Sequence, residues 1–262
     1  MTAQEISGVI FDLGHTLMHL NSSWPEVARR GAIDLAACVE AQPLGLDGQA
    51  FARALLARRE EGYARAKETM REVTAECTMH WVYAHFGVSQ PAPDLVRSSI
   101  DAFFAYEDSR WQADSAAVTV LRELAGRRLQ LGMFSNATDD RFIQSLVDRL
   151  GFRPWLAPAL SSAGTGIRKP DPAAFAPILA AWDLPPEAVV MVGDTLEADI
   201  LGAEQAGMRS VWIGSREDAR QEGRDRVGAR VQQTFRPDVT ISRLEELPGC
   251  LHELERRSGE SP

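Results

Sequence analysis

The sequence of 262 residues has few cysteines, almost no lysine and no long apolar run. Its three cysteines, Cys38, Cys77 and Cys250, are odd in number and far apart, which argues against a disulfide framework and against a cysteine metal cluster. No apolar run approaches the ~18 residues of a membrane span. The first residues lack the basic and apolar regions of a secretory signal. The composition therefore predicts a soluble, cytoplasmic protein with no membrane partner.

Nucleic acid is not an expected partner. The net charge of -9 repels nucleic-acid phosphates, and the arginine-rich stretch SREDARQEGRDRVGAR interleaves acids with its arginines. Lysine is scarce, because Lys67 and Lys169 are the only lysines among the 28 Lys and Arg residues. Arginine is the usual cation of this chain, so a lysine at a functional position indicates a need for a compact point charge.

The second half of the chain alternates short apolar runs with helical patterns. This alternation predicts a parallel β-sheet covered by helices, an α/β fold. The predicted strands are Gly8–Phe11, Leu129–Phe134, Leu156–Ser161, Val189–Val192 and Ser210–Ile213, with a weaker one at Asp238–Ile241, and the predicted helices are Asp139–Leu150, Pro172–Trp182 and Thr195–Ala206.

Residues 19–110 interrupt this alternation with an almost wholly helical pattern. A chain of this length fits one core domain with a substantial insertion. We therefore expect an α/β core over 1–18 and 111–250, a helical insertion over 19–110 and a C-terminal tail over 251–262. The end of that tail is polar enough to be disordered.

Polar residues follow several of the predicted strands. Because the carboxyl ends of parallel strands meet at one edge of a sheet, where such sheets bind ligands, we expect these side chains to lie together. The residues are Asp12, Ser135 and Asn136, Lys169, Asp194 and Asp199.

This set suits phosphoryl transfer. The transition state spreads negative charge over the phosphate oxygens, so the site needs a positioned nucleophile and dense positive charge. Asp12 is the candidate nucleophile. Mg²⁺ would offset its charge, with Asp12 and Asp194 as oxygen ligands. Ser135, the backbone amide of Asn136 and the ammonium of Lys169 would hold the phosphate of a small phosphorylated molecule.

Four segments carry a family resemblance. FDLGHTL, FSNA, RKPDPAAF and VGDTLEADILGAEQAG resemble, in order and separation, the four motifs of haloacid dehalogenase superfamily hydrolases. The resemblance implies a Rossmann-like parallel sheet with helices on both faces, and it makes the insertion a helical cap that closes over the site and selects the substrate. It also implies these roles: Asp12 as nucleophile, Ser135 and Lys169 as phosphate ligands, Asp194 and the Gly14 carbonyl as Mg²⁺ ligands, and Asp199 as an acid behind the metal.

The resemblance fails at Gly14. Most phosphatases of the family carry a second Asp there, which protonates the leaving oxygen and later activates water; such a group contributes roughly 10²–10⁴-fold. Three explanations remain open. The substrate has a good leaving group that departs without a proton; His15, with an ordinary pKa of ~6.5, supplies the proton; or the protein is a slow or inactive relative that binds a phosphorylated ligand and signals by cap closure.

Two other activities are weaker interpretations. The haloacid dehalogenases proper also lack the second Asp, but they need no metal and carry an aromatic residue at that position. Asp194 with Asp199 favours a metal instead. A phosphosugar mutase would need the missing acid–base group at both of its steps.

We therefore expect a Mg²⁺-dependent phosphatase that works through an aspartyl-phosphate on Asp12 and favours good leaving groups. Trp24, Arg29 and Arg30 lie shortly after the nucleophile segment and are candidates for contacting the substrate. The sequence indicates no oligomeric state.

Overall fold

A computed structural model of the chain describes residues 5–214 and 236–257. Its strands are β1 (Gly8–Phe11), β2 (Met18–Leu20), β3 (Trp111–Ala113), β4 (Gln130–Ser135), β5 (Ala159–Ser161), β6 (Val189–Gly193), β7 (Arg209–Ile213) and β8 (Val239–Ile241). Six of them form a parallel sheet in the order β5-β4-β1-β6-β7-β8. The pair β2 and β3 is antiparallel and separate.

Helices account for most of the remaining described chain. The α-helices are α1 (Trp24–Glu40), α2 (Gly48–Thr69), α3 (Ala75–His85), α4 (Pro93–Arg110), α5 (Ala117–Gly126), α6 (Asp140–Arg149), α7 (Ser162–Thr165), α8 (Ala176–Trp182), α9 (Gly202–Ala206) and a C-terminal helix, Leu247–Arg257. A π-helix spans Leu196–Leu201, and 3-10 turns span Pro172–Ala174, Pro186–Ala188 and Leu244–Glu246. Within the described ranges, the helices are all too short or too polar to cross a membrane.

Both faces of the large sheet are buried. Successive side chains of a strand point to opposite faces, so Val9 and Phe11 of β1 join one apolar cluster with α5, α6 and the C-terminal helix. Ile10 joins a second cluster on the other face, which includes Ile178 of α8 and Ala203 of α9. Burial on both sides explains why the strand reads as the continuous apolar run GVIF. The predicted Rossmann-like α/β fold is confirmed.

Two predicted elements are shorter than expected, and proline explains both. The strand predicted from Leu156 begins at Ala159, because Pro158 has no N–H to contribute to a ladder. The helix predicted from Pro172 is a 3-10 turn followed by α8, because Pro177 cannot donate the bond that would continue one α-helix across both segments.

The predicted C-terminal tail is wrong in its first part. Residues 251–257 belong to the C-terminal helix, in which Leu247, Leu251 and Leu254 are buried. Their spacing of four and three residues places them on one helix face, which packs on the sheet. The rest of the predicted tail, 258–262, and the arginine-rich stretch 215–230 lie outside the described residues.

The helical insertion, α1 to α4, has its own hydrophobic core. Leu35, Phe51, Tyr83 and Phe103 each come from a different helix and are buried together. The chain leaves the core domain through β2 and returns through β3, so this antiparallel pair marks both ends of the insertion. The helices occupy 24–110, close to the predicted 19–110.

Side chains of the expected type begin three of these helices. Ser23, Asp47 and Thr74 are the N-caps of α1, α2 and α3, and each side-chain oxygen accepts a hydrogen bond from a backbone N–H in the first turn. Such bonds satisfy donors that a helix cannot pair internally.

Candidate active site

The candidate site lies at the carboxyl ends of three adjacent strands. Phe11 pairs with Met133 of β4 on one side and with Val192 of β6 on the other. The next residue, Asp12, is held by a 2.8 Å hydrogen bond from its backbone N–H to the Val192 carbonyl. Ser135 ends β4 and Asp194 follows β6. The parallel register therefore brings the nucleophile candidate, the hydroxyl and a second carboxylate to one edge.

Lys169 is the central cation of this edge. Its side chain is buried, and its ammonium donates to Asp12 Oδ1 at 2.6 Å, to Asp199 Oδ1 at 2.6 Å and to the Phe134 carbonyl at 2.8 Å. An ammonium has three N–H donors, so all of them are engaged. Burial by itself would lower the pKa of Lys169, but the carboxylates of Asp12 and Asp199 outweigh burial and raise it. The lysine therefore remains charged.

Asn136 positions Lys169 through its side chain. The Asn136 amide nitrogen donates to the Lys169 carbonyl at 2.9 Å, and the Lys169 backbone N–H donates to the Asn136 side-chain oxygen at 2.9 Å. This reciprocal pair joins the loop after β4 to the loop that carries the lysine. The Asn136 side chain is thus occupied, and a phosphate contact from this residue would come from its backbone amide.

Asp199 has both carboxylate oxygens engaged by protein donors. Lys169 binds Oδ1, and the Thr195 backbone N–H donates to Oδ2 at 2.9 Å. The π-helix that contains Asp199 replaces the start of the predicted α-helix 195–206, and such wide turns are frequent at functional sites. The close approach also explains Gly193, because a Cβ there would overlap the Asp199 carboxylate.

Three carboxylates concentrate negative charge beside this lysine. Asp12, Asp194 and Asp199 each place one oxygen so that the three atoms lie within 4.8 Å of one another. Burial, with repulsion from Asp12 and Asp199, raises the pKa of Asp194 to about 8. A single ammonium does not neutralise three carboxylates. Hard oxygen ligands with excess negative charge fit a divalent cation such as Mg²⁺, and Asp12 and Asp194 are the members with oxygens left for it.

Gly14 and His15 border the site. A Cβ added to Gly14 would lie 3.4 Å from the Trp111 ring, an ordinary contact distance. His15 has a positive φ of 58°, and its ring lies edge-on to Trp111 with centroids 5.5 Å apart. Burial, and to a smaller degree the neighbouring His19, lowers the pKa of His15. The protonated form of this imidazole is therefore less favoured than that of an ordinary histidine.

A cavity of about 690 Å³ lies between this edge and the helical insertion. Its floor contains the strand-end residues, and its roof contains side chains of α2 and α4 that sequence reasoning missed. The spacing of four residues on α2 places three of them on one helix face, but this periodicity does not say which face meets the site. The main roof residues are Arg59, Tyr63, Lys67, Phe104 and Glu107.

Of the three residues proposed to contact substrate from the start of the insertion, only Trp24 lines this cavity. Its ring lies edge-on to Trp111 at 6.0 Å. Arg29 instead pairs with Glu26 on the surface of α1, and Arg30 lies over the Tyr106 ring at 5.4 Å. The two arginines are therefore structural or surface residues rather than cavity residues.

Polar contacts hold the insertion against the core. Glu72 accepts a 2.6 Å hydrogen bond from Ser162 and lies 3.4 Å from the Arg168 guanidinium. On the other side, Arg97 of α4 donates to Asp139 at 2.8 Å. These contacts join the insertion to two loops that carry site residues.

Comparison with known proteins identifies the family of this chain. The family of haloacid dehalogenase-like hydrolases matches residues 6–207. A glyceraldehyde 3-phosphate phosphatase of Methanopyrus kandleri is 28% identical over 96% of this chain and 99% of its own. A ribulose-1,5-bisphosphate 5-phosphatase of Halopiger xanaduensis is 29% identical over 92% of this chain and 97% of its own. A phosphoserine phosphatase of Thermus thermophilus is 36% identical over 122 residues, which cover only 47% of this chain and 48% of its own.

A solved structure shares the whole architecture. The 2-haloacid dehalogenase from Pseudomonas syringae pv. tomato superposes with a TM-score of 0.67 at 26% identity, covering 95% of this chain and 99% of its own. The family match covers the nucleophile segment through the end of α9, including all four strand-end segments that predicted it. The chain therefore belongs to the haloacid dehalogenase-like hydrolases.

Proposed function

We propose that this hydrolase is a Mg²⁺-dependent phosphatase that forms an aspartyl-phosphate on Asp12. The observation that carries the proposal is the lysine-centred carboxylate cluster, in which Lys169 contacts both Asp12 and Asp199 while Asp194 adds a third carboxylate. Such a cluster suits a reaction that brings a dianionic phosphate to a carboxylate nucleophile. The relatives named as phosphatases support the same class.

The metal would be held by Asp12, Asp194 and the Gly14 carbonyl. Asp199 would stay behind them, because its oxygens already bind Lys169 and Thr195. When bound, Mg²⁺ supplies a positive charge that offsets the carboxylates and the incoming phosphate. Lys169 would exchange one of its acceptors for a phosphate oxygen, beside the Ser135 hydroxyl and the Asn136 backbone amide.

Asp12 performs the bond-forming step. Among the described residues, none donates a hydrogen bond to its Oδ2, while Lys169 fixes Oδ1. One carboxylate oxygen attacks phosphorus, and the bond from phosphorus to the leaving oxygen breaks, with the electron pair going to that oxygen. A water molecule then attacks phosphorus, the bond to Asp12 breaks, and inorganic phosphate leaves.

Gly14 limits the leaving groups that this site can release. Glycine has no side-chain proton to give, and the lowered pKa of the nearby His15 disfavours the protonated form that could give one. Acyl phosphates release a carboxylate, nucleoside diphosphates release a phosphate anion, and anomeric phosphates release a less basic oxygen than simple alkyl phosphates do. We propose that these three classes are turned over faster than simple alkyl phosphates.

Substitution Gly14→Asp should raise kcat/KM on alkyl phosphates by about tenfold or more, because it adds the missing proton donor. The gain falls short of the full effect of such a group, since the new side chain must lie beside Trp111. Steady-state kinetics on glycerol phosphate and acetyl phosphate would measure it. Gly14→Asn is the matched control without a proton. An equal gain from both variants would contradict the proton-donor explanation.

His15→Asn should change kcat/KM by less than about threefold, whereas loss of a working general acid costs roughly 10²–10⁴-fold. Asparagine tolerates the positive φ of this position, so the loop should keep its shape. The measurement uses the same two esters near neutral pH. A loss of about 100-fold confined to glycerol phosphate would instead make His15 the substitute acid.

One assay separates the candidate classes. Purified protein would be incubated with Mg²⁺ and a panel of acyl, sugar and alkyl phosphates, and separately with L-2-chloropropionate, while phosphate and chloride release are followed. We expect phosphate release that a chelator abolishes, and no chloride release. Binding without turnover across the panel would favour a phospholigand sensor, and chloride release without metal would favour a dehalogenase.

A further inference from the structure

Arg59 is an unpaired cation in the roof of the cavity. It lies on α2 and lines the same cavity as Asp12 and Lys169. Within the ranges 5–214 and 236–257, no hydrogen bond or ion pair engages its guanidinium. Burial lowers the pKa of Arg59, and only Glu107 acts against that effect. Because an arginine keeps its proton in proteins, this guanidinium stays charged although no carboxylate of the described residues forms an ion pair with it.

Two aromatic rings orient this guanidinium. It lies over Phe103 at 4.7 Å and over Phe104 at 5.3 Å from the ring centroids. Stacking uses the flat face of the group and leaves its in-plane N–H donors free. Those donors form a fork that matches the two oxygens of a carboxylate or phosphate. The guanidinium of Arg59 thus packs on two rings, and no described residue binds its N–H donors.

Glu107 does not form an ion pair that would neutralise Arg59. It lies beyond ion-pair distance of Arg59, and one of its oxygens accepts a 3.1 Å hydrogen bond from the Trp111 indole. Burial raises the pKa of Glu107, despite the opposing effects of Trp111 and Arg59. The second arginine on the cavity wall, Arg168, differs from Arg59 because Glu72 pairs with it.

We propose that the substrate carries a second anionic group, a carboxylate or a second phosphate, away from the reacting phosphate, and that Arg59 binds it. This inference rests on the proposed function, since it assigns the reacting phosphate to the floor of the cavity. A cavity of about 690 Å³ has the size of small-molecule sites. Arg59 is therefore a specificity-determining residue in the roof.

Binding calorimetry on an Asp12→Asn background tests this without turnover. Two matched pairs of esters differ only at the far end: 3-phosphoglycerate against glycerol 3-phosphate, and ribulose 1,5-bisphosphate against ribulose 5-phosphate. We expect the anionic member of at least one pair to bind about 10–100-fold more tightly, which is the range for hydrogen bonds to charged groups. The pair that shows the preference distinguishes a carboxylate from a second phosphate.

Arg59→Met should remove that preference, because it removes the guanidinium while keeping an unbranched apolar side chain at this position. Arg58→Met is the matched control, because Arg58 is the neighbouring arginine on α2, stacks over Trp81 and pairs with Glu61 away from the cavity. It should leave the preference intact. Arg59→Lys retains the charge but loses the planar fork of donors, so it should show a reduced preference. This variant replaces Arg59→Met in the test if the methionine protein unfolds at a lower temperature.

Equal affinities within both pairs, no binding of any anionic-ended ester, or a preference that survives Arg59→Met would each overturn the inference. Wild-type release of phosphate from acetyl phosphate is measured separately. If that release is absent but the Arg59-dependent preference is present, the proposed phosphatase activity fails and the anion site stands.

Discussion

Asp12→Asn is expected to lower phosphatase turnover by about 10⁴-fold or more, because loss of a covalent nucleophile removes the reaction path rather than one contribution to it. The fold should survive, since the asparagine oxygen can still accept from Lys169 where Asp12 Oδ1 does now, at 2.6 Å. The measurement is steady-state phosphate release, with thermal melts of both proteins.

A direct test of the intermediate accompanies this variant. Wild-type protein mixed with a radiolabelled acyl phosphate and quenched in acid should retain label in the peptide that contains Asp12, and Asp12→Asn should retain none. Full activity in the variant, or label on another residue, would show that Asp12 is not the nucleophile. Tight ester binding by both proteins with turnover by neither would support a non-catalytic role.

Lys169→Met is expected to destabilise the fold by about 3–5 kcal/mol, the range for breaking a buried ion pair by removing one partner. The ammonium is nearly inaccessible, at 2% exposure for the residue, and its removal takes away the cation that pairs with Asp12 and Asp199. Turnover should fall by roughly 10²–10³-fold, as for loss of one preorganised group that stabilises developing charge. Urea unfolding in chelator measures the first effect, and steady-state kinetics the second.

The chain offers a matched control, because Lys67 is its other lysine. Lys67 is exposed and lies over the Tyr63 ring at 5.5 Å, so Lys67→Met should change the free energy of unfolding by less than about 0.5 kcal/mol. Similar stability losses from the two variants would contradict the role of Lys169 as the counter-charge of the cluster.

Local sequence patterns were enough to predict the strands and the strand-end residues on the floor of the cavity. The run GVIF predicted β1 with its observed bounds, because a strand buried on both faces needs apolar residues at every position. Asp12, Ser135 and Asp194 were expected together since each follows a parallel strand, and the register of β1 with β4 and β6 brings them to one edge. Strand ends are short-range features, so the sequence is sufficient to predict them.

Sequence patterns did not predict the contacts among these residues. Lys169 was expected to bind phosphate, whereas its ammonium is shared among Asp12, Asp199 and the Phe134 carbonyl. The helix predicted over 195–206 starts as a π-helix that turns Asp199 inward to this lysine. Both features involve contacts between Lys169 and groups that are distant from it along the chain, which propensity and periodicity do not contain.

The sequence by itself determined the fold class, the edge at which the chemistry is placed and the absence of an acid at Gly14. Only the tertiary structure decided which face of α2 meets that edge and hence that Arg59 faces the cavity. Helical periodicity establishes that residues 59, 63 and 67 share a face. The direction of that face follows from how four helices pack around Leu35, Phe51, Tyr83 and Phe103, and from the polar contacts that dock them on the core.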